Sequence, residues 1–145
     1  MAKTFEDQWM DIHAQMISLC LELSGTNISK VYIYGSIEEK STSFNAFFQQ
    51  NGQILTTLHL TSDRNLILKF LQLGTADLQR MKELCLAYRR TPPTEVKLVY
   101  DLATARLGSH YQYEPVCTEK TGVSAEQVFS AWLQETRNAL ASGAQ

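Results

Sequence analysis

Asn51-Gly52 constrains the fold of this chain more than any other pair of residues in it. Both central residues of a type I′ turn need positive φ, which Asn and Gly tolerate best, so the dipeptide predicts a tight hairpin. Its flanks agree, because Ser43–Gln50 and Gln53–Leu60 are rich in aromatic and β-branched residues. Val31–Ile37 (VYIYGSI) is a third run of the same kind, joined to the hairpin by the polar stretch Glu38-Glu39-Lys40-Ser41-Thr42. Residues 31–60 therefore predict a three-stranded antiparallel meander.

Helical patterns flank this meander. Phe5, Trp9, Ile12, Met16, Leu19, Cys20 and Leu23 recur at three- and four-residue spacing, which puts them on one stripe of a helix over 4–24. Thr4 and Asp7 form a capping-box pattern at its start, and Gly25 ends it. His13 sits beside the stripe, as expected of a satisfied or solvated histidine. Residues 63–90 are also helical, with Gly74 marking the end of a first segment and Thr75 capping a second; one kinked helix fits as well. Pro92-Pro93 stops the pattern, since neither residue donates and each biases its predecessor toward extended structure.

A second pair of strands follows at about 94–101 and 106–113, joined by a polar turn, and Ser124 with Gln127 opens the last helix. The order αβββα(α)ββα predicts an α+β domain. Its five strands form one antiparallel sheet, and the helices pack mainly on one face. Residues 1–145 contain no repeat, low-complexity tract or linker, so a single domain is expected.

Hydrophobic residues at 44% and charged residues at 19% argue for a folded globule and against disorder. The net charge of −2, without a concentrated basic stripe, weighs against nucleic-acid binding. Arg89-Arg90 and Arg80-Lys82 fit a cation-rich helix C-terminus better than a phosphate track. Three cysteines without CxxC spacing do not form a secreted disulfide framework, and Cys20 and Cys85 fit as small core residues. No apolar leader and no long apolar window occurs, so the expected setting is the cytoplasm, with no membrane partner.

Chemistry is harder to find than surface. His13, His59, His110 and the cysteines are scattered singly, so neither a metal site nor a cofactor is expected. Glu38-Glu39 are adjacent on an extended chain and point apart, which makes them a solvated loop rather than an acid–base dyad. Asp101 at a strand end opens a turn. No catalytic residue is assigned. Tyrosines recur instead: Tyr32 and Tyr34 share one face of the first strand, and Tyr111 and Tyr113 one face of the last. If helices cover one sheet face, tyrosines on the other stay in water and supply interface area; equally, they complete the edge of the core.

Three stretches carry a family resemblance: Val31-Tyr-Ile-Tyr-Gly-Ser with Phe44-Asn-Ala-Phe-Phe, then Pro93-Thr-Glu-Val-Lys-Leu-Val-Tyr-Asp, then Tyr111-Gln-Tyr-Glu. Over about residues 8–115 the chain resembles the YezG-type immunity proteins, which neutralise polymorphic or contact-dependent inhibition toxins in the producing bacterial cell. That family usually has Gly-Lys-Phe entering the last strand, where this chain has Ala105-Arg106-Leu107-Gly108. The resemblance implies a non-enzymatic protein that binds a cognate toxin domain, often a nuclease. Glu38, Glu39, Asp101, Tyr111, Tyr113 and Glu114 are the candidate contacts. The element order also suits a dimeric type III secretion chaperone, and a small α+β enzyme is the third reading. A homodimer is compatible with the first two.

Overall fold

The computed structural model describes residues 3–38, 40–118 and 121–143. Helix α1 (Phe5–Ser24) begins where the Thr4 hydroxyl accepts from the Asp7 N–H and the Asp7 carboxylate accepts from the Thr4 N–H. Then come β1 (Lys30–Ile37), β2 (Thr42–Gln50), β3 (Gln53–Leu55), the one-turn α2 (Thr57–Leu60) and α3 (Arg64–Ala87). Strands β4 (Glu95–Asp101) and β5 (Arg106–Gln112) follow, and α4 (Ala125–Ala141) closes the order. The strands form one antiparallel sheet ordered β3-β2-β1-β4-β5, so the architecture is the α+β one that the sequence predicts.

Two local expectations give way to other forces. The third strand stops at Leu55 instead of reaching Leu60. The Thr56 N–H donates to His59 Nδ1 at 2.9 Å, which curls Thr57–Leu60 into a helical turn. Gly74 does not end a helix either. α3 runs straight through it because the Phe44 ring occupies the space a side chain there would need. The missing Cβ is the point of this glycine, which lets a helix and an aromatic ring approach closely. Thr75, rather than capping, donates to the Leu71 carbonyl at 2.8 Å.

The two long helices cover one sheet face. Val31, Ile33 and Ile37 of β1, Phe44 and Phe48 of β2, and Val96 and Leu98 of β4 meet Met16 and Cys20 of α1 and Leu78 and Met81 of α3. The other face is not left to water. α4 lays Phe129, Trp132, Leu133 and Leu140 over Tyr32, Phe47 and Ile54. Tyr32 stacks on Phe47 with ring centroids 4.5 Å apart, and Trp132 meets Tyr32 edge-on at 5.8 Å. Tyr32 and Tyr34 are therefore core residues rather than solvent-facing ones, because the apolar stripe of α4 needs a floor and they provide it.

Candidate functional site

Of the six residues singled out from sequence, the five that the structure describes do not form one surface. Glu38 is buried, 8% exposed, and its Oε2 accepts from the backbone N–H groups of Val116 and Cys117 at 3.1 and 2.8 Å. It pins the chain after β5 to the end of β1, a structural duty, so it is withdrawn as a contact. Glu39 lies outside the described residues. Asp101 is half-buried, and its Oδ1 accepts from the Ala103 and Thr104 N–H groups, shaping the β4–β5 turn as the sequence suggests. Tyr111 is half-buried with its hydroxyl fully engaged. Tyr113 and Glu114 are exposed and remain available.

Around Tyr111 the fold assembles an aromatic cluster from three elements. Trp9 and His13 lie one turn apart on α1, and β5 brings Tyr111 against both, with ring centroids 5.7 and 6.1 Å away. Phe5 stacks on Trp9 at 5.6 Å and meets Tyr88, at the end of α3, edge-on at 5.3 Å. The Arg90 guanidinium sits 3.8 Å above the Phe5 ring and 3.5 Å from Glu6. Gln8 donates to the Tyr88 hydroxyl at 3.0 Å. Tyr113 lies just past the end of β5, where burial, the Cys85 thiol and the Tyr111 hydroxyl push its phenol pKa up.

His13, wholly buried, is the polar hinge of this cluster. Its Nδ1 is 2.6 Å from the Trp9 carbonyl, which only accepts, so Nδ1 carries the proton. Nε2 is then an acceptor and takes the Tyr111 hydroxyl at 2.7 Å. Tyr111 Oη in turn accepts from the Trp9 indole N–H at 3.3 Å. With a neutral imidazole every donor in this ring of bonds has an acceptor, and burial holds the His13 pKa below its ordinary value, opposed by the bond to Trp9.

The cluster has an exposed rim. Tyr88 and Tyr113 are 44% and 53% exposed, Met10 is 50% exposed, and Arg89 and Arg90 are exposed beside them. Arg89 also has φ +56. It occupies the left-handed position of a Schellman ending: its N–H reaches the Leu86 carbonyl at 3.1 Å, and the Arg90 N–H reaches Cys85 at 2.8 Å. Glycine is the usual residue there, and a side chain costs roughly 1–2 kcal/mol. A long cation held at that cost on an aromatic rim is the kind of outlier that points to function.

A second polar group lies beneath the α4 face. Tyr34 Oη is 3.9 Å from Cys117 Sγ, and burial, followed by the neighbouring Cys117 thiol, pushes the Tyr34 phenol pKa up. Glu95 is 5% exposed, with Oε1 unpartnered among the described residues. A raised phenol pKa keeps Tyr34 protonated, as a neutral hydrogen-bond donor beneath α4. Among the described residues no three or more His, Cys, Asp and Glu side chains converge in a way that could hold a metal ion. No described helix is long and apolar enough to cross a membrane.

Reading the sequence missed Tyr88 and Arg89 as surface residues. Tyr88 fits the apolar periodicity of α3, and Arg89 fell into a charge run. One signal was available: a helix end without Gly or Asn, in which Tyr-Arg-Arg precedes Pro92-Pro93. No protein-family model matches the chain, and no curated protein matches it either.

Proposed function

We propose that this chain is an immunity protein that binds a cognate toxin domain, of nuclease type, in the bacterial cytoplasm and neutralises it by occupying its surface. The observation that carries the reading is the exposed rim of Tyr88, Tyr113, Met10, Arg89 and Arg90 on a rigid aromatic base. Tyr, Trp and Arg dominate interface hot spots because they bring large contact area at low entropic cost. Their base is fixed before binding by the Trp9–Tyr111–His13 hydrogen bonds, which lowers the cost of ordering the surface. Exposed Glu114 beside Tyr113 offers an anion to basic groups of the toxin, and Arg89 and Arg90 on the same rim meet its acidic ones, so the contact is mixed in charge and its on-rate is screened by salt.

The test is growth rescue in bacteria co-expressing nuclease toxin domains, above all one encoded beside this chain's gene. Tyr88→Ala with Tyr113→Ala abolishes rescue in a variant that still folds, with a lowered melting point from the lost Tyr88–Phe5 contact. Rescue that survives both substitutions places the toxin elsewhere. Arg89→Gly is the sharper probe: it raises stability by about 1 kcal/mol by relieving the left-handed strain, yet weakens toxin binding. Exposed Leu58 on α2 and Leu66, Leu68 and Leu73 on α3 favour a second reading, a chaperone holding an unfolded apolar segment against these helices. Binding to an unfolded effector peptide, with no rescue from any folded toxin, would select it.

A further inference from the structure

The two edges of the sheet are guarded differently. At the β3 edge three residues pair before α2 turns the chain away, so little backbone is offered. At the β5 edge seven residues run free of proline, and from Leu107 to Gln112 they carry no acidic, lysine or arginine side chain. Five of the seven are exposed. The chain that follows leaves β5 along the end of the sheet rather than over its outer side. Thr94 Oγ1 donates to the Glu114 carbonyl at 2.6 Å, and Glu38 at the end of β1 then takes Val116 and Cys117. Natural edges of this length are normally blocked by charge, proline or a bulge, because they template pairing with another strand.

We propose that β5 pairs antiparallel with β5 of a second copy, about a two-fold axis at Ser109, joining two sheets into one of ten strands. Only this register matches all seven residues of one strand with all seven of the other. Leu107 then faces Tyr111 of the partner subunit on the α1 side, an aliphatic–aromatic cross-strand pair. Gly108 faces His110 of the partner subunit, leaving room for the ring. Arg106 comes diagonal to Glu114 of the partner subunit, and the contact repeats by symmetry. Arg106 and Glu114 are exposed charges of opposite sign, and neither belongs to the described ion pairs. That self-complementarity is why the occupant is a second copy rather than a foreign strand. The two Tyr88 rims come to lie on the same face of the joined sheet. This inference is independent of the proposed function, since it needs no toxin.

The experiment is sedimentation velocity and light scattering of the full chain over a concentration series. The expected result is a reversible shift from the 16.4 kDa chain to twice that mass. Ser109→Lys sets two ammonium groups face to face on the axis and should weaken association roughly tenfold, while thermal melting at the lowest concentration is unchanged. R106E and E114R each weaken association, and the double variant recovers most of the loss. That recovery separates an intersubunit pair from damage to the fold, because R106E beside Asp101 stays in the double variant. A chain that is monomeric throughout overturns the proposal. So does a dimer indifferent to Ser109→Lys, or a double variant no better than the worse single.

Discussion

Phe47 and Phe48 are neighbours in β2, both without exposed surface, yet they belong to different cores. Phe48 points into a continuous apolar layer that draws on α1, α3, β1, β2 and β4. Phe47 points into a small layer whose buried members are Tyr32, Phe47, Ile54 and Leu133. The sheet residues around it are largely polar: Ser36, Asn45, Gln49, Glu95 and Lys97 alternate along the same face. α4 covers the β1–β2–β3 side of this face, and Gly108, His110 and Gln112 on β5 stay exposed. A groove lined by Lys97, Val123, Gln127, Ala131 and Trp132 separates α4 from β4. The contrast teaches a division of labour. Apolar burial on the α1–α3 face drives folding, while α4 is a docked layer held by fewer contacts and by its tether.

The matched phenylalanines give the largest expected effects. Phe48→Ala should cost about 3–5 kcal/mol in urea unfolding, as one cooperative loss. Phe47→Ala should cost less globally, because α4 undocks before the rest unfolds, and amide exchange should quicken in Ala125–Ala141 alone. Equal costs with one shared transition would erase the distinction between layers. Next comes Gly74→Ala, which forces a methyl into the Phe44 ring and should cost about 2–3 kcal/mol, the upper part of the overpacking range. Its exchange signature belongs to α3 and β2; quickened exchange in α4 would contradict the separation.

These particular residues mark how much was legible beforehand. Thr4, Asn51-Gly52 and Ser124-Gln127 act over three or four residues, so the elements they bound could be placed from sequence. β3 was overdrawn because its alternation continues past Leu55, while the bond from Thr56 to His59 competes locally and wins. Gly74 was left undecided and Glu38 misjudged for a different reason. Their roles come from Phe44 and from Val116–Cys117, which lie 30 and about 78 residues away in the chain. A glycine admitting a ring looks like a glycine ending a helix. A carboxylate that anchors a loop looks like a solvated one. The candidate surface suffered most, since its aromatic members are periodic with the core and only tertiary packing decides which of them reach solvent.

Glu38 tests the tether. Glu38→Ala removes two charge-assisted bonds to the segment that leads into α4, at a cost of about 1–2 kcal/mol. The loss should appear as α4 undocking, by exchange or by quenching of Trp132, with Trp9 unaffected. A loss shared evenly by both tryptophans would mean that Glu38 serves the whole fold.

The smallest effect belongs to His13, and it probes the opposite layer. Its folded pKa is depressed by burial below the ordinary 6.5, so the unfolded chain binds the proton first as acid is added. The stability tied to the neutral ring is complete above about 6.5 and drains away as pH falls through the depressed folded value. Protonation also puts an N–H where Tyr111 needs an acceptor, so α1 and β5 should loosen while α4 stays docked. His13→Asn should flatten this part of the pH profile between about pH 7 and about pH 5, leaving the carboxylate-driven decline at lower pH. Parallel profiles for parent and variant would show that the imidazole does not titrate differentially. The bonded ring beneath the Tyr88–Tyr113 rim would then be packing without an electrostatic consequence.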